Sequence, residues 1–579
     1  MTQPPFTTAI AQHVWESKYR LVTEAGRAES SPESTWERVA RAAAFAERED
    51  RSRWQAIFYD LMADLRFLPG GRILAGAGTE RRVTLFNCFV MGQLRDEMAA
   101  IFEGLKEGAL TMQEGGGVGY DFSPLRPRGT AARETANIAS GPVSFMRVWD
   151  SMCATICSTG SRRGAMMATL RCDHPDIENF IAAKNDRQSL SHFNCSVQVS
   201  DALMDAVARD AEWLLTFAGK VHKKTRARDL WRELVQAAYQ GSEPGVLFVD
   251  QINRENNLWY RETLTTTNPC GEVPLPPYGA CNLGSFNLTA FVREPFSTRA
   301  KFDLEALRNC VPAAVRFLDN IIDLSRFPLP AQRNEAVATR RIGLGFMGLG
   351  SALLMLGMPY DSSQARSLAA QVMTCIRDAA YLASVELGVE RGSFRVLDRA
   401  RFLQGLFIQR LPRDLQAEIR KHGLRNSHLT AIAPTGTISL LANNVSSGIE
   451  PIFEPRYRRS LRTGTGELAT FDVEDHACRL WYERQRGAAG DPPALTTARD
   501  LPPDAHLAMQ AALQPLVDQG ISKTINVPAD VPLSSFTNIY SEAHRLGLKG
   551  VTTFRPHPDR PGVISGSQAP LARPLSQAP

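Results

Sequence analysis

The chain has 579 residues, 44% of them hydrophobic and 22% charged, which describes a globular protein large enough for a sizeable core. Its 66 basic and 61 acidic residues leave a net charge of only +5, and the short basic clusters at 340–341 and 456–459 read as solvated surface rather than a nucleic-acid-binding face. The N-terminal stretch lacks a basic region followed by an apolar core, so no secretory signal is visible. The charge-free run 342–360 is broken by five glycines and Pro359, which argues for protein interior and against a membrane span. Ten cysteines without an export signal point to a reducing compartment, the cytoplasm, where a disulfide would be transient and catalytic.

Residues 1–65 read as a helical N-terminal region, with Trp36, Val39 and Ala43 recurring at helical spacing after the Ser31–Ser34 start. From 66 to 556 short apolar runs alternate with helices. The runs include 85–91, 245–249, 429–433 and 550–554, and the helices 230–239, 304–324 and 365–387. That alternation predicts an α/β domain with mainly parallel strands. Residues 487–504 read as a loop, and 557–579, rich in Pro, Ser and Ala and lacking cysteine, as a disordered tail.

Three motifs compete for attention. Gly343-x-Gly345-x-x-Gly348 matches a dinucleotide fingerprint, but the polar, helical stretch before it is no buried strand, so close packing of helices through glycine is the better reading. Cys153-x3-Cys157 with Cys172-x-His174 matches no compact zinc module. The third motif, Asn268-Pro269-Cys270-Gly271-Glu272, carries more chemistry. Pro269 drives Asn268 toward extended angles, and an extended chain would project an amide, a thiol and a carboxylate from one edge. Cys281 and Cys88 lie elsewhere in the chain, and a cysteine pair can deliver two electrons by closing a disulfide.

NPCGEVPLPPYGACNLGSFNL, around these residues, resembles the finger loop of ribonucleotide reductases, and specifically the adenosylcobalamin-dependent class II branch. The resemblance spans about 19–560. It runs through FLPGGRILAGAGT (67–79), NCFV (87–90), EGGGVGYDFSPLRPRG (114–129), SGPVSFMRVWD (140–150), GSRRGAMMATLRCDHPDIENFIAAK (160–184), APTGTISLLANNVSSGIEPIFEP (433–455), SKTINVP (522–528) and GLKGVTTFRP (547–556). It implies a ten-stranded α/β barrel of two five-stranded parallel halves around a central finger loop, and it places GLGFMGLG in an ordinary helical segment.

The resemblance also implies roles. Cys270 becomes a thiyl radical that takes the ribose 3′-hydrogen, Glu272 accepts the 3′-hydroxyl proton, Asn268 binds the sugar hydroxyls, and Cys88 and Cys281 end as a disulfide. Pro434, Thr435, Gly436, Thr437, Ile438 and Ser439 form the expected phosphate loop, joined at the substrate by Asn87 and Gly117. Asp96, Arg162 and Arg163 align with contacts to a deoxynucleotide or ATP specificity effector. A homodimer is expected, without a metal site, nucleic acid or membrane partner. The 551–554 stretch lacks the tyrosine pair of the class that uses a metal-containing small subunit, and no glycyl-radical motif is present. A catalytically silent relative is the alternative, against which the retention of all five reactive residues argues. With about sixty residues before the barrel, an N-terminal ATP-cone is not expected. With no cysteine in the tail, re-reduction is expected from an external dithiol or a separate cysteine-bearing subunit.

Overall fold

Short apolar runs have too few residues for helices, and a chain can bury them on both faces only as parallel strands covered by helices. They become barrel staves in the computed structural model, which describes all residues except 1–5, 24–25, 131–138, 157–163, 186–188, 463–467, 486–489, 557–563 and 567–579. Before them stands the expected helical region. Helix Pro32–Ala44 starts behind an extended Ser31 with proline in its first turn, and it buries Trp36 and Val39. Helix Arg51–Ala63 follows it.

Strands β1 (Cys88–Val90), β2 (Gly117–Asp121), β3 (Met166–Arg171), β4 (Phe193–Val199) and β5 (Gly245–Phe248) pair in parallel, in that order. A second parallel set begins with β6 (Ala280–Asn287) and β7 (Ile342–Met347). Isolated bridges Leu344–Thr430 and Ile432–Ile521 carry it through the extended segment 429–433 to β8 (Thr524–Asn526), which pairs in parallel with β9 (Gly550–Phe554). The sets meet antiparallel at both seams, β6 against β1 and β9 against β5. Counting 429–433 as a stave, this is the expected barrel of two five-membered parallel halves. Strand Phe67–Pro69 pairs with the far end of β6. All eight residues of β6 are buried. No helix among the described residues is long and apolar enough to cross a membrane.

Two expectations fail. GLGFMGLG is not helical: its first part is β7, and helix Leu349–Met355 starts only after Gly348 turns the chain at φ +80°. The glycines serve stave packing, because a Cβ at Gly345 would lie 2.3 Å from the Ala431 carbonyl oxygen. Arg340 and Arg341 are not surface residues. Both are buried, Arg340 on Asp319 at 2.8 Å and Arg341 on Glu262. Of the expected tail, 564–566 alone are described, as a strand that pairs with strand Arg456–Arg462.

Candidate active site

The finger loop is a hairpin, Thr266–Thr267 paired with Pro274–Leu275, lodged against the barrel wall. Thr169 of β3 donates its hydroxyl to the Thr265 carbonyl at 3.3 Å. Gly119 of β2 leaves room for Thr267, whose carbonyl oxygen would lie 2.0 Å from any added Cβ. Between the two strands the chain turns tightly. The Gly271 amide donates to the Asn268 carbonyl at 3.1 Å, and Gly271 adopts φ +84°. The extended edge expected for 268–272 is therefore absent, because a backbone hydrogen bond closes the segment into a turn. The turn brings the same residues together by another route. Asn268 donates Nδ2 to Glu272 Oε2 at 2.8 Å while Cys270 stands exposed at the tip.

Cys88 reaches this turn from β1. Its sulfur lies 3.3 Å from Asn268 Nδ2 and 3.8 Å from Glu272 Oε1. Cys281 on β6 is the direct antiparallel partner of Cys88. Opposed residues of that kind have Cα atoms about 4.5–5.5 Å apart, inside the range of about 4.4–6.8 Å that a disulfide spans. Both are thiols here. Burial pushes Cys88 well above the ordinary thiol range, and the adjacent Glu272 carboxyl pushes it further. Burial raises Glu272 to about 7 against the opposing hydrogen bond from Asn268. A carboxyl poised there can exchange a proton near neutrality.

One cavity unites most of the expected residues: Asn87, Cys88, Gly117, Asn268, Cys270, Glu272 and Pro434 through Ile438 all line it. Asn87 Oδ1 is buried without a hydrogen-bond partner among the described residues, as an atom reserved for a ligand would be. Thr435 bends the loop 434–439 at φ +50°, and its hydroxyl accepts from the Gly448 amide at 2.9 Å, ahead of the short helix Ile438–Leu441. Ser439 is not at the cavity. It is buried behind the loop, 3.2 Å from the Ser447 hydroxyl. Cys281 likewise lies behind Cys88 rather than on the wall.

Asp96 is elsewhere, ion-paired to Arg126 at 2.6 Å. Arg162, Arg163 and Cys157 lie outside the described residues. His174 is occupied by the Leu125 carbonyl at 2.9 Å and the Asp176 amide at 3.0 Å, and Cys153 packs on the Met112 sulfur. Among the described residues no three His, Cys, Asp or Glu side chains gather as a metal site. The residue-level reading missed Arg72, Ser285 and the glycine pairs 70–71 and 115–116, which line the same cavity. The paired glycines were the available signal, since they mark close backbone approach.

Comparison with known proteins agrees with this geometry. The family model described as "Ribonucleotide reductase, barrel domain" matches residues 86–554, and "Ribonucleotide reductase, all-alpha domain" matches 5–82. A Mycobacterium tuberculosis protein named vitamin B12-dependent ribonucleoside-diphosphate reductase is 38% identical over 96% of this chain and 80% of its own length. A Thermoplasma acidophilum protein of the same name is 36% identical over 89% of this chain and 67% of its own. A ribonucleoside-diphosphate reductase subunit alpha from Chlamydia pneumoniae is 25% identical over 95% of this chain and 59% of its own. The barrel with its finger loop, the opposed cysteines and these matches agree, and the chain belongs to the ribonucleotide reductase family.

Proposed function

We propose that this chain reduces ribonucleoside diphosphates to 2′-deoxyribonucleotides with adenosylcobalamin as cofactor. The observation that carries the reading is the seam between β1 and β6, which sets Cys88 opposite Cys281 beside the Asn268–Glu272 pair, with Cys270 in the same cavity. The names of the relatives support vitamin B12 dependence and diphosphate substrates.

The residues fit the cofactor at one point in particular: the Cys270 thiol is exposed at the loop tip while Asn268 and Glu272 beneath it are buried. When bound, the cofactor supplies a carbon-centred radical that takes a hydrogen atom from a thiol. Cys270 is the residue that would meet it, and its thiyl then removes the ribose 3′-hydrogen. Glu272, held near neutrality by burial, takes the 3′-hydroxyl proton. Asn268 donates to the sugar oxygens, its orientation set by the Val273 amide at 2.9 Å and the Thr267 hydroxyl at 3.0 Å, both donated to its Oδ1. The loop from Pro434 to Ile438 holds the phosphates. As C2′ loses water, Cys88 and Cys281 supply two electrons and close a disulfide, which an external dithiol reopens.

The test is an anaerobic assay of CDP and CTP with adenosylcobalamin and excess dithiothreitol. Deoxycytidine diphosphate is the expected product. Turnover that needs a metal-containing small subunit and no cobalamin would overturn the assignment.

A further inference from the structure

The two sulfurs of the pair are chemically unequal. Cys88 lines the reaction cavity, whereas Cys281 is fully buried behind it with its thiol 3.3 Å from the Asn282 carbonyl oxygen. In the parallel pairing of β6 and β7, Asn282 is the partner of Ile342, so Arg341, one residue earlier, lies level with Cys281. Gly343 keeps this stave close, for a Cβ there would sit 3.3 Å from the Cys281 sulfur. Arg341 is 1% exposed. It pairs with Glu262 through Nη2, but its Nε and Nη1 have no hydrogen-bond partner among the described residues. Unsatisfied guanidinium N–H groups in a core are costly, and no step above uses this cation. Burial pushes the Cys281 thiol up, Arg341 is the strongest influence acting against that, and Glu272 and Asp518 add to the rise. At Cys88 the neighbouring carboxyl acts only to raise.

We infer that re-reduction of the Cys88–Cys281 disulfide has a built-in direction, in which an external dithiol attacks Cys88 and Cys281 departs as a thiolate stabilised by Arg341. The inference rests on the reading of these cysteines as the redox pair. A reductant thiolate forms a bond to Cys88 Sγ, the Cys88–Cys281 bond breaks, and its electron pair stays on Cys281 Sγ, which then takes a proton. The second reductant thiol, losing its proton, closes onto the first and releases Cys88 as a thiolate that is protonated in turn. Two electrons and two protons pass from dithiol to protein, leaving a reductant disulfide. Access selects the sulfur attacked, and stabilisation of the leaving thiolate speeds its departure.

The test starts with the oxidised wild-type protein, its disulfide located by peptide mass spectrometry, then exposed to glutathione and quenched by acid and alkylation. Glutathione is expected on the Cys88 peptide in about tenfold excess over the Cys281 peptide. The reverse distribution, or an even one, overturns the direction. If no Cys88–Cys281 disulfide forms at all, the redox-pair reading falls and the direction with it. Arg341→Gln should slow reduction by dithiothreitol about tenfold, while Arg341→Lys stays within about threefold of wild type. Equal rates in folded Arg341→Gln and wild type overturn the role of Arg341. Should Arg341→Gln fail to fold, the double variant with Glu262→Gln removes both buried charges and is held to the same standard.

Discussion

Gly119→Ala tests whether the finger loop is seated on β2 as the structure has it. The new methyl would lie 2.0 Å from the Thr267 carbonyl oxygen and 3.0 Å from its carbon, where ordinary contact begins at 3.4 Å. The hairpin must therefore move away by more than an ångström, and Asn268 is the next residue along it. Overpacking of this kind costs about 1–3 kcal/mol of stability, and a displacement of about 1 Å at reacting groups lowers the rate by about 10²-fold. The assay measures kcat/KM for nucleotide reduction well below the melting temperature, with a thermal melt alongside to separate the two effects. Gly490→Ala is the control: it is exposed, it is not part of the cavity lining, and nothing stands within 4 Å of its Cβ, so activity should stay within about threefold. Wild-type activity and melting in Gly119→Ala would refute the seating of the loop.

If Cys270 carries the radical as proposed, Cys270→Ser should abolish reduction while leaving nucleotide affinity within about twofold in equilibrium binding; retained turnover would refute its role. Glu272 has a folded-state pKa raised to about 7, so its stabilising contribution as the neutral acid is complete below the unfolded value of 4.5 and is lost as pH rises through about 7. Glu272→Gln should therefore gain about 2 kcal/mol relative to wild type between about pH 5 and 8 in urea unfolding, and wild-type kcat/KM should rise through about 7 as the base deprotonates. A difference independent of pH would contradict the burial argument. Asp319, wholly buried, holds Arg340 at 2.8 Å, Arg425 at 3.2 Å and Asn426 at 2.9 Å. Asp319→Ala strands buried cations at a cost of about 3–5 kcal/mol, and a melt matching wild type would refute that.

Helices with strong periodicity and caps were legible from residues alone. Leu304–Leu324 appears with the expected bounds, and Ser363–Arg391 extends the expected helix at both ends. The ordered run of motifs pointed to the barrel, the finger loop and the five residues that the structure gathers at its turn, because residue type carries chemistry wherever the chain puts it. Local pattern misjudged places where a distant contact decides the outcome. GLGFMGLG carries glycines that suit tight packing of any kind, and only its pairing with β6 on one side and the stave 429–433 on the other made the segment a strand. Arg340 and Arg341 read as surface because their partners Asp319 and Glu262 come from other elements. Asn268 to Glu272 read as extended because Pro269 restricts its neighbour, yet the Gly271 hydrogen bond closed a turn. By itself the sequence determined which thiols, amide and carboxylate this protein carries and the helical and apolar segments that hold them. Only the tertiary structure decided that Cys88 faces Cys281 across an antiparallel seam, with one sulfur open to the cavity and the other beside a buried cation, because that register is set by barrel closure between segments far apart in the chain.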